Sequence, residues 1–188
     1  GFWNQSRLTN ITAGVYYGGD SVQVNYAGSD YIFVLRGGAT NSFYRYALAT
    51  DTWTAVAVTP GNVGYGGSIE AGPGDVLYAT QGGNLSTFWK YDIALNTWSV
   101  VSSAPKNFYI GGSISYDGSR YIYGLPGSDD AFYRYDTTND SWSARANAQF
   151  GNPNTADGQT VNYDSDSVYD GRNNIHVMQG NYYPYLAK

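Results

Sequence analysis

The stretch Tyr31 to Trp53, YIFVLRGGATNSFYRYALATDTW, constrains this chain more than any other feature, because it recurs. Val76 to Trp98, VLYATQGGNLSTFWKYDIALNTW, is a second copy, and Tyr121 to Trp142, YIYGLPGSDDAFYRYDTTNDSW, is a third. Trp53, Trp98 and Trp142 are spaced by 45 and 44 residues. Ile175 to Lys188, IHVMQGNYYPYLAK, is a fourth, altered copy. A fixed period of this length marks one supersecondary unit stacked several times, each burying its apolar face against its neighbours.

The unit reads as β throughout. Ile32-Phe33-Val34-Leu35 is a short apolar run that ends at Gly37-Gly38. A small polar loop, Ala39 to Ser42, leads to the aromatic run Phe43-Tyr44-Arg45-Tyr46, and the turn Ala49 to Thr52 leads to the alternating run Trp53 to Val58. Runs this short, rich in β-branched and aromatic residues and bounded by Gly, Asn and Asp, are strand and hairpin signals. Upstream of each copy lies a Gly-rich strand, in AGVYYGGDSVQV, VGYGGSIEAG and YIGGSISYDG. One repeat therefore holds four strands. Val15 to Thr59, Val63 to Ala104 and Tyr109 to Ala148 are the three complete units. Pro60, Pro105 and Pro153 fall between units, where no ladder bond is needed from that residue.

The Gly pairs Gly37-Gly38 and Gly82-Gly83, the dipeptides Tyr91-Asp92 and Tyr135-Asp136, and the tryptophans Trp98 and Trp142 that follow them stand in the order of a kelch motif. The chain resembles the kelch family of β-propellers over nearly its whole length. It departs from the pattern at Gly127-Ser128, where a Gly pair is expected, and at Ala47, where Asp is expected. No Gly-His or Trp-Asp dipeptide occurs, which argues against WD repeats. The resemblance implies an all-β propeller of four-stranded blades. It implies little about function, because propellers host many unrelated activities.

The bookkeeping gives four blades. Trp3 matches the other repeat tryptophans, so Gly1 to Leu8 reads as the fourth strand of a blade. The last copy stops after its third strand, with Tyr182 to Ala187 aligned on Phe43 to Leu48. The simplest reading is a ring closed by its two ends, Phe2-Trp3-Asn4 pairing with Tyr183 to Ala187, which leaves no free edge in that blade. The rival reading is a strand-exchanged oligomer, in which one chain donates this strand to another.

Length and composition set further bounds. A chain of 188 residues is about one domain. A net charge of −5, with no run of Lys or Arg, disfavours nucleic acid and anionic membrane as partners. No apolar stretch is long enough for a membrane span. Gly1 in place of Met reads as a trimmed or mature product, and the Tyr-, Asn-, Ser- and Thr-rich, Lys-poor composition reads as an extracellular or cell-surface protein.

Candidate chemistry is sparse. His176 is the only histidine and there is no Cys, so thiolate and multi-histidine metal sites are excluded, and no metal or cofactor is expected. Asp164, Asp166 and Asp170 have a spacing loosely like a Ca²⁺ loop, but Asp, Ser and Gly are also what a hairpin turn requires. Most other acids fall at repeated positions and read as architecture; Asp129, Asp130 and Glu70 break the pattern. Trp3, Trp53, Trp98 and Trp142 recur at one place in the unit and read as packing between blades rather than as a sugar-stacking set.

Better binding candidates lie where the repeats diverge. Arg36, Gln81, Pro126 and Gln179 follow the apolar strand, close to one end of the propeller, and Asp129 and Asp130 lie in the loop beside them. Tyr17, Tyr65 and Tyr109 stand before the Gly pairs in their strands, and read either as added aromatic surface or as core. Variable loops on a rigid scaffold usually carry binding. The expectation is a non-enzymatic module that binds a glycan or a protein there. A building block that self-assembles by strand donation and a carboxylate glycoside hydrolase are the alternatives.

Overall fold

Gly-Gly, Asn and Asp punctuation cuts each repeat into four short antiparallel strands. A computed structural model describes residues 9–11, 13–128, 130–147, 166–172, 174–178 and the backbone of 186–187. Sheet one comprises β1 (Asp20–Tyr26), β2 (Ser29–Leu35), β3 (Phe43–Ala47) and β4 (Thr52–Ala55), in that order. Sheet two comprises β5 (Ser68–Ala71), β6 (Val76–Thr80), β7 (Phe88–Asp92) and β8 (Thr97–Val101), and sheet three β9 (Ser113–Tyr116), β10 (Tyr121–Leu125), β11 (Tyr133–Asp136) and β12 (Ser141–Ala144). Sheet four has three described strands, β13 (Asp166–Tyr169), β14 (Ile175–Met178) and β15 (Leu186–Ala187). The protein is all-β: four antiparallel sheets, with no helix among the described residues.

The sheets pack in series through their first strands, β1 on β5, β5 on β9 and β9 on β13. Strand alternation gives every sheet two faces. The face of sheet one that meets sheet two, its forward face, carries Val22, Phe33, Leu35 and Phe43. The rear face of sheet two receives them with Ile69, Leu77, Ala79, Trp89 and Tyr91, all buried. The next interface repeats this with Tyr78 and Phe88 against Ile114, Ile122 and Tyr135. The third sets Leu125 and Phe132 against Val177 and Ile175. These contacts bury large aromatic area, the dominant favourable contribution to such packing.

A second device ties consecutive units together at the β3–β4 end. In sheet two the Trp98 indole Nε1 donates to the Ala57 carbonyl at 2.9 Å, and the Ala57 N–H donates to Asn96 Oδ1 at 2.9 Å. The Tyr91 hydroxyl donates to the same Oδ1 at 2.7 Å. In sheet three Trp142, Ser102, Asp140 and Tyr135 repeat the arrangement at 2.9, 2.8 and 2.8 Å. In sheet one Trp53, Thr9, Asp51 and Tyr46 do so at 2.7, 2.8 and 2.6 Å. The shared acceptor sits in a left-handed turn, with φ of 51° at Asp51, 52° at Asn96 and 48° at Asp140. Asn and Asp tolerate that conformation better than other residues with a Cβ. Trp98 also packs its ring on Phe43 of the preceding sheet at 5.0 Å, and Trp142 does the same on Phe88 at 5.0 Å. Trp98 and Trp142 thus each touch the sheet before their own. Trp3 lies outside the described residues.

One expectation changes. The alignment put Tyr185 opposite Ile175, and so Tyr183 opposite Val177. The observed register sets Ala187 opposite Val177 and Leu186 opposite Met178, four residues further along. The cause is loop length, which fixes hairpin register. Leu35 pairs with Phe43 and Thr80 with Phe88, eight residues on, and Met178 keeps that spacing to Leu186. Phe2-Trp3-Asn4 and Tyr183 to Tyr185 lie outside the described residues. Among those described, β13 does not pack on β1 as β5 and β9 pack on their neighbours.

Candidate functional site

The loops that differ between repeats meet at the end where β1, β5 and β9 begin. There the chain crossing towards each inner strand docks on the β2–β3-type loop of the sheet it enters. Tyr16 N–H donates to Arg36 O at 3.0 Å, Gly64 N–H to Gln81 O at 3.0 Å and Tyr109 N–H to Pro126 O at 2.8 Å. Gly38 N–H returns a bond to Tyr17 O at 2.8 Å, and Gly83 N–H to Tyr65 O at 2.7 Å. The second glycine of neither crossover pair has a positive φ, but the first does, 71° at Gly18 and 79° at Gly66. A Cβ on Gly18 would fall 1.8 Å from the Gly64 carbonyl oxygen, and one on Gly66 would fall 2.2 Å from that of Tyr109. Only glycine permits so close an approach of successive crossovers.

That approach lines up three exposed rings. Tyr17 and Tyr65 stack with centroids 4.2 Å apart and planes 17° from parallel. Tyr109 meets Tyr65 edge-on, at 6.0 Å and 71°. The bonding pattern shows that Tyr109 is equivalent to Tyr16, and that Ile110 is equivalent to Tyr17 and Tyr65. Tyr109 is therefore one place earlier than the sequence reading put it, yet its ring still joins the row.

Arg36 and Gln81 flank the rings. Gly37 and Gly82, at φ of 67° and 64°, turn the chain immediately after them, as expected. Part of each side chain serves the scaffold: Arg36 Nε donates to Gly14 O at 3.1 Å, and Gln81 Nε2 to Asn62 O at 3.1 Å. The Arg36 guanidinium also sits 5.4 Å from the Tyr16 ring centre. Both residues are half-buried. Pro126 is buried and contributes no donor, so it leaves the candidate set. Asp130 is half-buried in the loop before β11. Asp129 and Gln179 lie outside the described residues.

Beneath the rim, Asp20, Ser68, Ser113 and Asp166 each open an inner strand. Asp20 Oδ2 accepts Ser68 Oγ–H at 2.9 Å and Ile69 N–H at 2.8 Å. Ser113 and Ser167 hydroxyls lie 3.0 Å apart, and Ser115 Oγ donates to Ser167 O at 2.7 Å. Burial raises the Asp20 carboxyl above its ordinary range against these bonds, and the charge of Asp166 pushes the same way. Burial also pushes Glu70 up to about 7, with Asp20 and Asp166 contributing; its Oε1 accepts Ala71 N–H at 2.8 Å. The sequence reading singled out Glu70 and missed Asp20. Aligning the Gly pairs would have found it, since Asp20 stands after Gly19 where Ser68 and Ser113 stand after theirs.

The remaining candidates resolve as architecture. Asp170 Oδ1 accepts the Arg172 N–H at 2.7 Å, and its Oδ2 accepts the Asn174 amide at 2.7 Å and faces His176 Nε2 at 3.1 Å. These partners, the Asn174 amide first, hold Asp170 well below the usual carboxylate range. Asp166 lies at the other end of β13, so the two do not share a loop, and Asp164 is outside the described residues. Among the described residues no group of three or more His, Asp or Glu is placed to hold a metal ion. No helix among them is long and apolar enough to cross a membrane.

Neither a protein-family model nor a curated protein matches the sequence. Among solved structures, one described as the structure of YjhT aligns with a TM-score of 0.68 and 17% identity, over 92% of this chain and 60% of that one. This chain therefore spans less than two thirds of that protein's length. At so low an identity the likeness concerns the fold alone.

Proposed function

We propose that the four sheets are blades of a kelch-like β-propeller, and that the chain is a non-enzymatic, secreted or surface-displayed module whose tyrosine rim binds a glycan. The observation that carries this reading is the row Tyr17, Tyr65 and Tyr109, exposed yet fixed by backbone bonds. A sugar offers a patch of C–H groups that settles on an aromatic face, and hydroxyls that need fixed donors and acceptors around it. Arg36 and Gln81 supply those. Among the described residues the Arg36 Nη groups and Gln81 Oε1 make no hydrogen bond, so they remain for a ligand. The rings are already ordered, which lowers the entropy lost on binding.

Two observations favour binding over catalysis. Asp20 is engaged by three donors, from Ser21, Ser68 and Ile69. Glu70, on β5, already has its Oε1 engaged by the Ala71 N–H. The acidic net charge and the absence of a basic run at the rim favour a glycan or protein over nucleic acid.

A glycan array followed by calorimetric titration of the best hit tests the reading. Tyr65→Ala should weaken that hit about tenfold, equivalent to about 1.4 kcal/mol. Leu95→Ser, exposed in the turn before β8 at the opposite end, should leave it unchanged. Undiminished affinity in Tyr65→Ala moves the site off the rim. An array without a hit overturns the glycan assignment and leaves a protein ligand.

A further inference from the structure

The chain has no cysteine, so no disulfide can tie one sheet to the next. Its tyrosines offer another covalent chemistry. We infer that Tyr17 and Tyr65 form a built site of oxidative cross-linking, which a peroxide-fed one-electron oxidant converts into a dityrosine bridge between the crossovers of sheets one and two. The inference does not depend on what the rim binds. It rests on the geometry of one pair of rings. Tyr17 and Tyr65 lie face to face, with centroids 4.2 Å apart and planes 17° from parallel. Other tyrosine pairs lack this arrangement. Tyr26 and Tyr31 are 6.5 Å apart at 51°, and Tyr65 and Tyr109 are 6.0 Å apart at 71°. Tyr78 and Tyr135 are 5.6 Å apart at 59°, and both are buried. Tyr17 and Tyr65 are 46% and 40% exposed, so an oxidant in solution reaches them.

Face-to-face rings are what the coupling requires. In a phenoxyl radical the unpaired electron occupies orbitals perpendicular to the ring, so two ring carbons join only when those faces meet. Each phenol first gives one electron to the oxidant and its hydroxyl proton to water. The two radicals then form a bond between one Cε of each ring, ortho to the oxygen. Each of those carbons loses its hydrogen as a proton and each oxygen regains one, which restores both phenols. In sum two hydrogen atoms leave the chain, and the peroxide takes up the two electrons as its O–O bond breaks. The backbone holds the pair in place, through Gly38 N–H to Tyr17 O at 2.8 Å and Gly83 N–H to Tyr65 O at 2.7 Å. Groups fixed side by side react as though at very high concentration, which favours this pair over encounters between chains. The chain carries no thiol to quench the radicals. The bridge would close a loop between positions 48 residues apart, restricting the unfolded chain as a disulfide does.

Oxidation of the whole 188-residue chain, dilute, by a photoexcited ruthenium tris-bipyridine complex with persulfate tests this. The mass of the single chain should fall by two hydrogen atoms, and dityrosine fluorescence should appear. Proteolytic mapping should give one cross-linked peptide, joining Tyr17 to Tyr65. Tyr17→Phe and Tyr65→Phe keep the ring but remove the phenol, and each should abolish the product. Tyr109→Phe, which alters the edge-on ring, should leave it in place. Should one of the first two variants fail to fold by circular dichroism, the other decides together with the peptide map of the parent chain. Absence of any link within one chain overturns the inference. So does a mapped link between other tyrosines, or a product that persists in Tyr17→Phe or Tyr65→Phe.

Discussion

The two ends of each sheet obey different rules. At the β3–β4 end three repeats carry the same bonds through Tyr46-Asp51-Trp53, Tyr91-Asn96-Trp98 and Tyr135-Asp140-Trp142. At the opposite end the equivalent places hold Arg36, Gln81 and Pro126, and Tyr16, Gly64 and Tyr109. The bonds made by the backbone are nevertheless the same at that end. Side chains are constrained where they carry the inter-sheet contact, and they are free to vary where main-chain groups carry it. The first end is built to hold; the second is the end on which a binding surface can change without loss of the fold.

The largest effect should come from breaking the constrained end. Trp98→Ala removes a ring packed on Phe43 and Tyr91 and a donor to Ala57 O, and should cost roughly 3–5 kcal/mol in denaturant unfolding. A loss below about 1 kcal/mol, the worth of one ordinary hydrogen bond, would mean that Trp98 does not join the sheets.

Acid should separate the three clamps. The Tyr46 hydroxyl, then the Thr9 N–H, lower the Asp51 carboxyl below its ordinary value. Burial opposes this at Asp140, but the Ser102 and Tyr135 bonds outweigh it and the net shift is also downward. A carboxylate whose folded value is depressed stabilises the fold above its unfolded value, about 3.9, and loses that contribution as pH falls through the folded value. Asn96 does not titrate. Acid titration followed by the indole Nε1–H resonances should therefore show changes at Trp53 and Trp142 before Trp98. Asp51→Asn and Asp140→Asn should remove the difference. Simultaneous loss at all three would place the acid-labile step elsewhere, with Asp136 and its Arg120 partner the next candidate.

The smallest stability effect belongs to the variable end. Arg36→Ala with Gln81→Ala removes two half-buried bonds to carbonyls and should shift the denaturation midpoint little, by about 0.5–1 kcal/mol in all, while the glycan hit of the rim loses affinity. A drop as large as that of Trp98→Ala would show that these side chains are scaffold.

Most of the sheet order was legible in the sequence, because a strand period and Gly-Gly punctuation are local signals repeated three times. The place of β15 was not: the number of residues between paired strands sets which residue meets Met178, and that number leaves no residue signature. The clamps were half legible. Trp and Asx recur visibly, whereas Thr9, Ala57 and Ser102 take part through main-chain atoms and share no side chain that could mark them. The tyrosine row was legible in its members and not in its order, since Tyr109 reaches the row from the place of Tyr16.

Each clamp ties a sheet to the segment just before it and to nothing further away. Cohesion in this arrangement is thus a nearest-neighbour property, as in other stacked repeats. Sheet two is gripped on both sides, with Trp98 holding Ala57 behind it and Trp142 holding Ser102 ahead. Among the described residues sheet four has no tryptophan of its own. Under mechanical load or slow solvent exchange the chain should therefore come apart like a zip from its ends, with the amides of β6 and β7 the last to be released.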